Sequence, residues 1–340
     1  MAFEDIGIDL GTATVQVCQS ERGLILEEPS VVAVNTKTDT VLAVGDEAYK
    51  MIGRTPSYIQ AVHPLEDGVI SNYEMTERMI QYFLKKCCKN SVFKPRVVLC
   101  VPSGVTEVEA RAAVDAAVSA GARKVYLIEE PVAAALGAGI DISIPNGVMV
   151  VDIGGGTTDV AVLSLSGVVT KASIKMAGRK MDLAIIRYIR QSRGILIGEK
   201  TAEEIKIKIG TVYMEENDPD IEMEAKGRDL SLGLPRKFTI SRRELMPVLQ
   251  ELAMQIVQTI QSVAEKTPPE LVGDIFDNGL VLTGGGAMIN GLDKLITAHT
   301  RIKAKLAEDP VECVAKGTMM CFQLVDSLKD GFLTASTHDH

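Results

Sequence analysis

The sequence contains no tryptophan, only 4% aromatic residues and no pair of cysteines in a CxxC spacing. Its six cysteines are scattered, and no histidine lies near enough to complete a zinc motif, so we expect reduced thiols and no zinc site. Free thiols are typical of the cytoplasm. The apolar run of ~18 residues that a membrane-spanning helix needs is missing, and the acidic first residues do not resemble a signal peptide. We therefore expect a cytoplasmic chain without a membrane span.

An excess of basic residues is likewise absent, because 36 Lys and Arg stand against 45 Asp and Glu, giving a net charge of −9. This balance argues against long-range attraction to nucleic acid, and no nucleic-acid partner is expected. Any bound anion must be held by local contacts. What the chain does have is 340 residues, 46% of them hydrophobic, which is enough for about two compact domains.

One sequence pattern occurs twice, in Ile6–Val17 and in Val148–Val162. In each copy an apolar strand ends in an Asp, a turn with Gly and Thr follows, and a second apolar strand returns. Between the copies, the strand Arg96–Val101, the helix Thr106–Ala120 and the strand Lys124–Ile128 alternate as in a mainly parallel sheet. We therefore predict two related α/β domains, each opening with a β-hairpin.

The two turns, Asp9-Leu10-Gly11-Thr12 and Asp152 to Thr158, have the composition of phosphate-binding loops. Glycines without Cβ atoms let backbone N–H groups approach phosphate oxygens, and Thr hydroxyls add donors. The Asp of each turn would repel phosphate, but it can hold the waters of a Mg²⁺ ion that bridges phosphate oxygens. Neither turn is a Walker A loop or a GxGxxG fingerprint. One such turn alone could be an ordinary β-turn with a surface Asp, whereas the repeated pair favours a metal–nucleotide site.

A carboxylate suited to act on a terminal phosphate occurs in Glu129-Glu130-Pro131. Pro131 at the first helical position would leave Glu130 just outside the helix, at a strand end where α/β sheets carry functional residues. There its carboxylate can orient and partly deprotonate a water for in-line attack, which would give slow hydrolysis. The alternative is an acid that caps the helix and is stabilised by the helix dipole.

Two weaker signals could belong to the same site. Thr283-Gly284-Gly285-Gly286-Ala287 follows a strand and begins a helix, where backbone can pass close to a flat base or a sugar. Such a turn can equally be structural. Glu203 and Lys206 share one helix face and could reach ribose hydroxyls or an adenine edge, although a solvated charged face is the simpler interpretation.

Together these motifs resemble the MreB family, the bacterial actins of the actin, Hsp70 and sugar-kinase superfamily. Their order is that of the superfamily: two Asp–Gly–Thr turns, the connector Glu129–Gly139 and the turn Leu282–Gly286. Further stretches typical of the family are Glu27–Ala33, Asp67–Ile70, Leu196–Glu203, Lys226–Leu230 and Pro268–Leu271. The likeness runs from about residue 5 to residue 325.

The resemblance implies an α/β fold of the actin-like, ribonuclease H-like type, in which two duplicated domains form two large lobes and four subdomains around a cleft for ATP and Mg²⁺. Domain I would comprise 1–145 and 312–340 with a small subdomain at about 32–74, and domain II 146–311 with a small subdomain at about 181–243. The implied metal-side acids are Asp9 and Asp152, and Glu130 would position the water. The implied nucleotide contacts are Gly11, Thr12, Ala13, Gly154, Gly155, Gly156 and Thr157 at the phosphates, Glu203 and Lys206 at the ribose, and Gly284, Gly285, Gly286 and Ala287 at the adenosine.

The resemblance also implies a function. Proteins of this family polymerise into paired protofilaments on the inner face of the cell membrane and, with transmembrane cell-wall elongation proteins, direct wall synthesis in rod-shaped bacteria. The chain would then be an ATP-dependent cytoskeletal protein, cytoplasmic and peripheral on the inner membrane face, with slow ATP hydrolysis. The alternative is a monomeric Hsp70-like ATP switch or a small-molecule kinase of the same superfamily.

A membrane contact can be assigned to Val92-Phe93, two apolar residues at an expected loop tip. The flanking Lys89, Lys94 and Arg96 would favour anionic lipid locally despite the net negative charge. In MreB relatives such a loop dips into the bilayer. The alternative is that Val92 and Phe93 pack onto the domain as part of the next strand.

The sequence departs from the family pattern at three places. Ala177-Gly178-Arg179 replaces the usual Gly-Gly-Asp, Leu183 replaces an acid, and His63 replaces an Arg. Arg179 thus brings a cation where an anion is usual, so rates of hydrolysis and nucleotide release need not follow the family.

Overall fold

A computed structural model describes residues 5–20, 22–88, 94–324 and 335–336. The strands are β1 (Asp5–Leu10), β2 (Thr14–Gln19), β3 (Gly23–Pro29), β4 (Val32–Asn35), β5 (Thr40–Val44), β6 (Ile59–Val62), β7 (Leu65–Glu66), β8 (Val69–Ile70), β9 (Arg96–Val101), β10 (Lys124–Glu129), β11 (Val148–Ile153), β12 (Thr158–Ser164), β13 (Gly167–Ile174), β14 (Ile195–Leu196), β15 (Glu222–Asp229), β16 (Pro235–Ser241), β17 (Leu280–Thr283), β18 (Ala304–Leu306) and β19 (Ala335–Ser336). The helices are α1 (Asp46–Met51), α2 (Tyr73–Cys87), α3 (Glu107–Ala120), α4 (Glu130–Gly137), α5 (Gly178–Arg193), α6 (Glu199–Ile209), α7 (Arg242–Lys266), α8 (Pro269–Asn278), α9 (Leu292–Thr300) and α10 (Cys313–Leu324), with a 3₁₀ turn at Gly285–Met288.

The two large sheets have the same strand order. Strands of the first half, β1 to α4, form the order β10-β9-β1-β2-β3, and those of the second half form the corresponding order β18-β17-β11-β12-β13. The short strand β19 is added at the edge of the first sheet, beside β10. In each sheet a three-stranded antiparallel meander begins the half, and its first strand pairs in parallel with a later strand. The predicted duplication of an α/β domain is therefore confirmed, and so are the two predicted hairpins.

Each half also carries a small inserted sheet at the corresponding point of its sequence. The sheet β5-β4-β6 with α1 lies between β3 and β9, and the sheet β14-β15-β16 with α6 lies between β13 and β17. These insertions bring polar side chains of α1 and α6 to the region between the halves, where Tyr49 of α1 contacts Glu203 of α6. The exact limits of the four subdomains stay a prediction.

Among the described residues, three apolar cores lie on or between the two large sheets, and a fourth, smaller one lies in the first inserted sheet around Val31 and Ala48. One packs α2 and α3 on the first sheet around Phe83 and Leu99, and one packs α5, α7 and α9 on the second sheet around Val151 and Ile256. The third core lies between the sheets and contains α4, with Ala134 among its fully buried residues. Strands this apolar on both faces are expected in a sheet that helices cover on both sides.

Helices α4 and α10 carry the chain from one half to the other and back, and they cross in direct backbone contact. A Cβ atom on Gly137 would overlap the carbonyl of Cys313, and one on Gly317 would overlap the carbonyl of Ala133. Glycine is required at both positions because any side chain would separate the two backbones.

Candidate functional site

A cavity of about 480 Å³ lies between the two halves, at the end of β1, β11 and β17. This is an ordinary volume for a site that holds a small organic ligand. The residues predicted from the sequence that line it are Asp9, Gly11, Thr12, Ala13, Glu130, Asp152, Gly154, Gly155, Gly156, Thr157, Glu203, Lys206, Gly284, Gly285 and Gly286. The structure thus brings together in one cleft five separate segments of the chain.

The two hairpin turns are in contact with each other. A Cβ on Gly155 would lie 2.6 Å from Cβ of Ala13, and one on Gly156 would overlap the hydroxyl of Thr12. Neither glycine could be replaced without pushing the turns apart. The turn at Gly68 covers this contact, because its N–H donates to the Thr12 hydroxyl over 3.0 Å and a Cβ there would lie 2.7 Å from Thr157 Cγ2. The two Asp–Gly–Thr turns therefore converge, as their repetition predicts.

Two buried carboxyl groups face this cavity from opposite halves. Burial raises the pKa of Asp9 to about 7, and the nearby charge of Asp152 adds to the rise. Burial also raises the pKa of Asp152 to about 7, although the hydroxyl of Thr283 donates to its Oδ1 over 2.7 Å and partly offsets the effect. Two acids in this position are stabilised in their charged form by a cation placed between them.

Glu130 lies beside the same acids, and it is the first residue of α4. The helix therefore begins one residue earlier than predicted, with Glu129 as its N-cap and Pro131 inside the first turn. Burial raises the pKa of Glu130 well above its ordinary range, and the charges of nearby aspartates, Asp159 first among them, raise it further.

Sequence reasoning missed Asp159. It pairs with Asp152 in the β11–β12 ladder, so both side chains lie on one face of the sheet. Its Oδ1 accepts a 2.7 Å hydrogen bond from the backbone N–H of Ser103, in the other half of the chain, and burial raises its pKa to about 6. The signal was available in the repeat, because the hairpin register puts an acid directly opposite the predicted metal-side Asp152.

The carboxylates fit a metal ion that arrives with a phosphate ligand. Within the described ranges no three His, Cys, Asp or Glu side chains are grouped to hold a metal by themselves. Mg²⁺ binds in proteins through one or two carboxylates, water and substrate phosphates. Asp9 and Asp152, beside turns with exposed backbone donors, match that donor set.

The glycine turn after β17 lines the same cavity and packs against the end of β11. Gly284 has φ +82° and fits against the backbone of Ile153, whereas Gly285 has open space where a side chain would be. Ala287 was predicted to line the pocket, but its methyl group is buried in the core of the second half because the 3₁₀ turn directs it inward. Lining residues that were not predicted include Ile207, Arg242, Met288, Ile289 and Asn290.

Glu203 and Lys206 line the cavity, but both already have polar partners. Glu203 accepts a 2.7 Å hydrogen bond from the hydroxyl of Tyr49. Lys206 Nζ donates to the carbonyl of Gly178 over 3.1 Å and forms a 2.9 Å ion pair with Asp182. A ligand that uses these groups has to share them or replace their partners.

The residues that depart from the family pattern lie together beside the cleft. Arg179 lines the main cavity and also a smaller cavity of about 70 Å³ that His63 and Leu183 help to form. Burial lowers the pKa of His63, and the positive charge of Arg179 lowers it further. The Arg179 side chain is therefore close enough to the cleft to act on its electrostatics.

Val92 and Phe93 fall outside the described residues, so their membrane contact stays a prediction. Among the helices that the structure describes, none combines the length and the apolar character needed to cross a bilayer.

Comparisons with known proteins agree on one family. The family model for MreB/Mbl protein matches residues 3–330. The cell shape-determining protein Mbl of Bacillus cereus is 49% identical over 329 residues, covering 96% of this chain and 98% of that protein. MreB of Escherichia coli is 47% identical over 332 residues, covering 96% of this chain and 95% of that protein. The crystal structure of MreB5 of Spiroplasma citri bound to ADP superimposes with a TM-score of 0.90 at 40% identity, covering 95% of this chain and 97% of that one. The predicted actin-like fold is confirmed.

Proposed function

The chain belongs to the MreB/Mbl family of cell shape-determining proteins, and on this basis we propose that it is an ATP-binding bacterial actin that forms membrane-associated filaments. These filaments organise cell-wall synthesis and so set rod shape. Slow ATP hydrolysis tunes their assembly and disassembly. The protein works in the cytoplasm, on the inner face of the membrane.

The convergence of Asp9 and Asp152 on one cavity is the observation that carries the proposal. The turns behind them touch through Gly155 and Ala13, which leaves backbone N–H groups of both halves near one another. These N–H groups and the hydroxyl of Thr12 are suited to bind the phosphates of ATP. Asp9 and Asp152 would hold a Mg²⁺ ion, which would offset the negative charge of the triphosphate.

Glu130 is suited to orient the attacking water. It is buried beside Asp152 at the N-terminus of α4, on the side of the cleft where the phosphate turns meet. A carboxylate whose pKa is raised takes a proton from water more readily than an exposed one does. We assign no Arg or Lys as a clamp on the terminal phosphate, so hydrolysis should be slow and serve as a timer.

The nucleoside occupies the opposite end. Glu203 and Lys206 contact the ribose after their hydrogen bonds to Tyr49 and Asp182 have broken. The glycine turn from Gly284 to Gly286 lies along the adenosine. Ile207 and Met288 are exposed apolar side chains of this end, and a flat base covers such surface favourably. MreB5 of Spiroplasma citri, 40% identical, was crystallised with ADP, which supports a nucleotide here.

Filament and membrane binding reinforce each other in this proposal. The partners are further copies of the chain in paired protofilaments, the lipid surface, and transmembrane cell-wall elongation proteins. Two inserted side chains, Val92 and Phe93, contribute only a few kcal/mol by their area, so one subunit binds lipid weakly. A polymer presents many such loops at once and binds strongly.

Electron microscopy and sedimentation of the purified protein test the proposal. We expect filaments with ATP and Mg²⁺, and none after chelation of the metal. Asp152→Asn should bind nucleotide weakly and should not polymerise, whereas the surface variant Glu204→Gln should behave as the wild type. A protein that binds ATP yet stays monomeric at all concentrations, with and without lipid, would contradict the filament function and favour an ATP switch or a kinase.

A further inference from the structure

Gln16 is a buried amide at the cavity that the proposed chemistry has not used. Its side chain lies on β2, lines the main cavity and is only 1% exposed. Within the described part of the chain, neither its Oε1 nor its Nε2 has a hydrogen-bond partner. Buried amides in folded proteins almost always find partners, so an orphaned one beside a ligand cavity indicates that the ligand supplies them.

The internal repeat gives Gln16 a defined position. Gln16 is paired with Asp9 in the β1–β2 ladder, just as Asp159 is paired with Asp152 in the β11–β12 ladder. Each hairpin therefore presents two side chains on one face, with the metal-side acid on the first strand. In the second hairpin the partner is a carboxyl group, and in the first it is a neutral amide.

An amide side chain can donate a hydrogen bond, which an ionised carboxylate cannot do. Next to Asp9, a second carboxylate at position 16 would repel phosphate and raise the pKa of both acids further. The Nε2 group of Gln16 instead carries two N–H donors for phosphate oxygens, and a bond to a charged acceptor is stronger than one to a neutral group.

We propose that Gln16 is a phosphate-contact residue of the nucleotide site, with Nε2 donating to a phosphate oxygen of the bound nucleotide. This rests on the proposed function, because it needs a nucleotide in the cleft. The residue binds and orients the phosphate and takes no part in proton transfer. It adds a side-chain donor from the first half of the chain to the backbone donors of the two turns.

The test compares Gln16→Met with Gln19→Met by calorimetric titration of ADP, AMPPNP and adenosine. Methionine keeps the length of the side chain and removes the amide, and Gln19 is a half-buried glutamine on the same strand that does not line the cavity. We expect Gln16→Met to bind ADP and AMPPNP about tenfold more weakly, the loss of one charge-assisted hydrogen bond, and to bind adenosine unchanged. Gln19→Met should bind all three as the wild type does.

Thermal unfolding without ligand supplies a readout independent of binding assays. Removing an unpaired buried amide should leave the unfolding temperature of nucleotide-free Gln16→Met equal to or above that of the wild type, while the rise produced by ADP shrinks. Gln16→Glu should weaken ADP binding further than Gln16→Met. An undiminished ADP-induced rise in Gln16→Met, or equal losses for adenosine and ADP, would overturn the assignment. If the wild type itself binds no nucleotide, the proposed function fails instead.

Discussion

The hydroxyl of Tyr49 donates a 2.7 Å hydrogen bond to Oε2 of Glu203, across 154 positions of sequence. The bond joins α1 of the first inserted sheet to α6 of the second. Lys200 strengthens the junction, because its Nζ donates to the carbonyl of Tyr49 and lies 3.9 Å from the centre of the Tyr49 ring. The two halves are thus linked directly through their inserted sheets.

Opening of the cleft should therefore depend on Tyr49. Tyr49→Phe removes the hydroxyl and keeps the ring, and a net hydrogen bond of about 0.5–1.5 kcal/mol corresponds to a two- to tenfold change in rate. We expect release of a fluorescent ATP analogue, followed by stopped flow, to be faster by about that factor. Tyr73→Phe, at an exposed tyrosine on α2, is the control. An unchanged release rate would mean that the junction does not limit opening.

Glu130→Gln should separate hydrolysis from binding. The amide keeps the size of the side chain but cannot accept a proton, so phosphate release should fall about 100-fold or more. Titration with AMPPNP should give nearly the wild-type affinity. The control, Glu204→Gln, changes an exposed carboxylate on α6. Hydrolysis that persists in the Glu130 variant would remove the assigned role.

The buried aspartates predict how the ligand-free protein responds to pH. The folded-state pKa of Asp152 is about 7 against an ordinary value near 4, so the folded chain holds its proton more tightly than the unfolded chain does. The free energy of unfolding, measured in chelator without nucleotide, should therefore fall by a few kcal/mol as pH rises from about 4 to above 7.

Asp152→Asn tests the origin of this trend, because asparagine does not titrate. Its unfolding free energy should vary less over the same pH interval than that of the wild type, and it should exceed the wild-type value at pH 8. Urea titrations at a series of pH values provide the measurement. Parallel pH profiles for the two proteins would show that other groups dominate.

Arg179 should strengthen the binding of polyphosphate. Its side chain lines the cavity, and a cation there attracts the charged end of ATP. We expect Arg179→Ala to weaken ADP binding several-fold and Arg179→Asp to weaken it more, with both effects shrinking at high salt because ions screen the charge. Arg187→Ala, at an exposed position of the same helix, should have little effect. Identical affinities at low salt would contradict this.

Replacement of Val92 and Phe93 by serine should detach filaments from lipid. Serine removes the apolar surface that the bilayer would cover, so co-sedimentation with anionic liposomes should drop to the level of the protein alone. Filament formation without lipid should persist. Val108→Ser, at a residue that is 80% exposed elsewhere, is the matched control. Unchanged co-sedimentation would mean that the loop packs onto the protein.

Local patterns predicted much of the fold and the site. The Asp–Gly–Thr turns and the Glu-Glu-Pro sequence are contiguous, and their glycines and proline restrict the backbone wherever they occur. The repeat in the sequence therefore predicted both hairpins and the two related α/β domains, whereas the cleft between them was implied by the family resemblance.

Other features depend on packing between distant parts of the chain and could not be predicted from the sequence. Tyr49 meets Glu203 only after two inserted sheets have folded, and no pattern near Tyr49 marks it as a contact. Ala287 turns into the core because the 3₁₀ turn fits against β11. Asp159 and Gln16 differ from these, because the repeat already indicated a hairpin register that sets them opposite Asp152 and Asp9, respectively, and the sequence reasoning did not use it.

The crossing of α4 and α10 determines how the molecule can bend. Gly137 and Gly317 keep the backbones of α4 and α10 in contact. The two connections between the halves therefore lie side by side and can act as a single hinge. We expect a rotation of the two halves about this crossing to change the distance between Asp9 and Asp152. Gly317→Ala would push the backbones of α4 and α10 apart at this hinge. A substitution remote from the nucleotide would thereby alter the closure of the two halves around it.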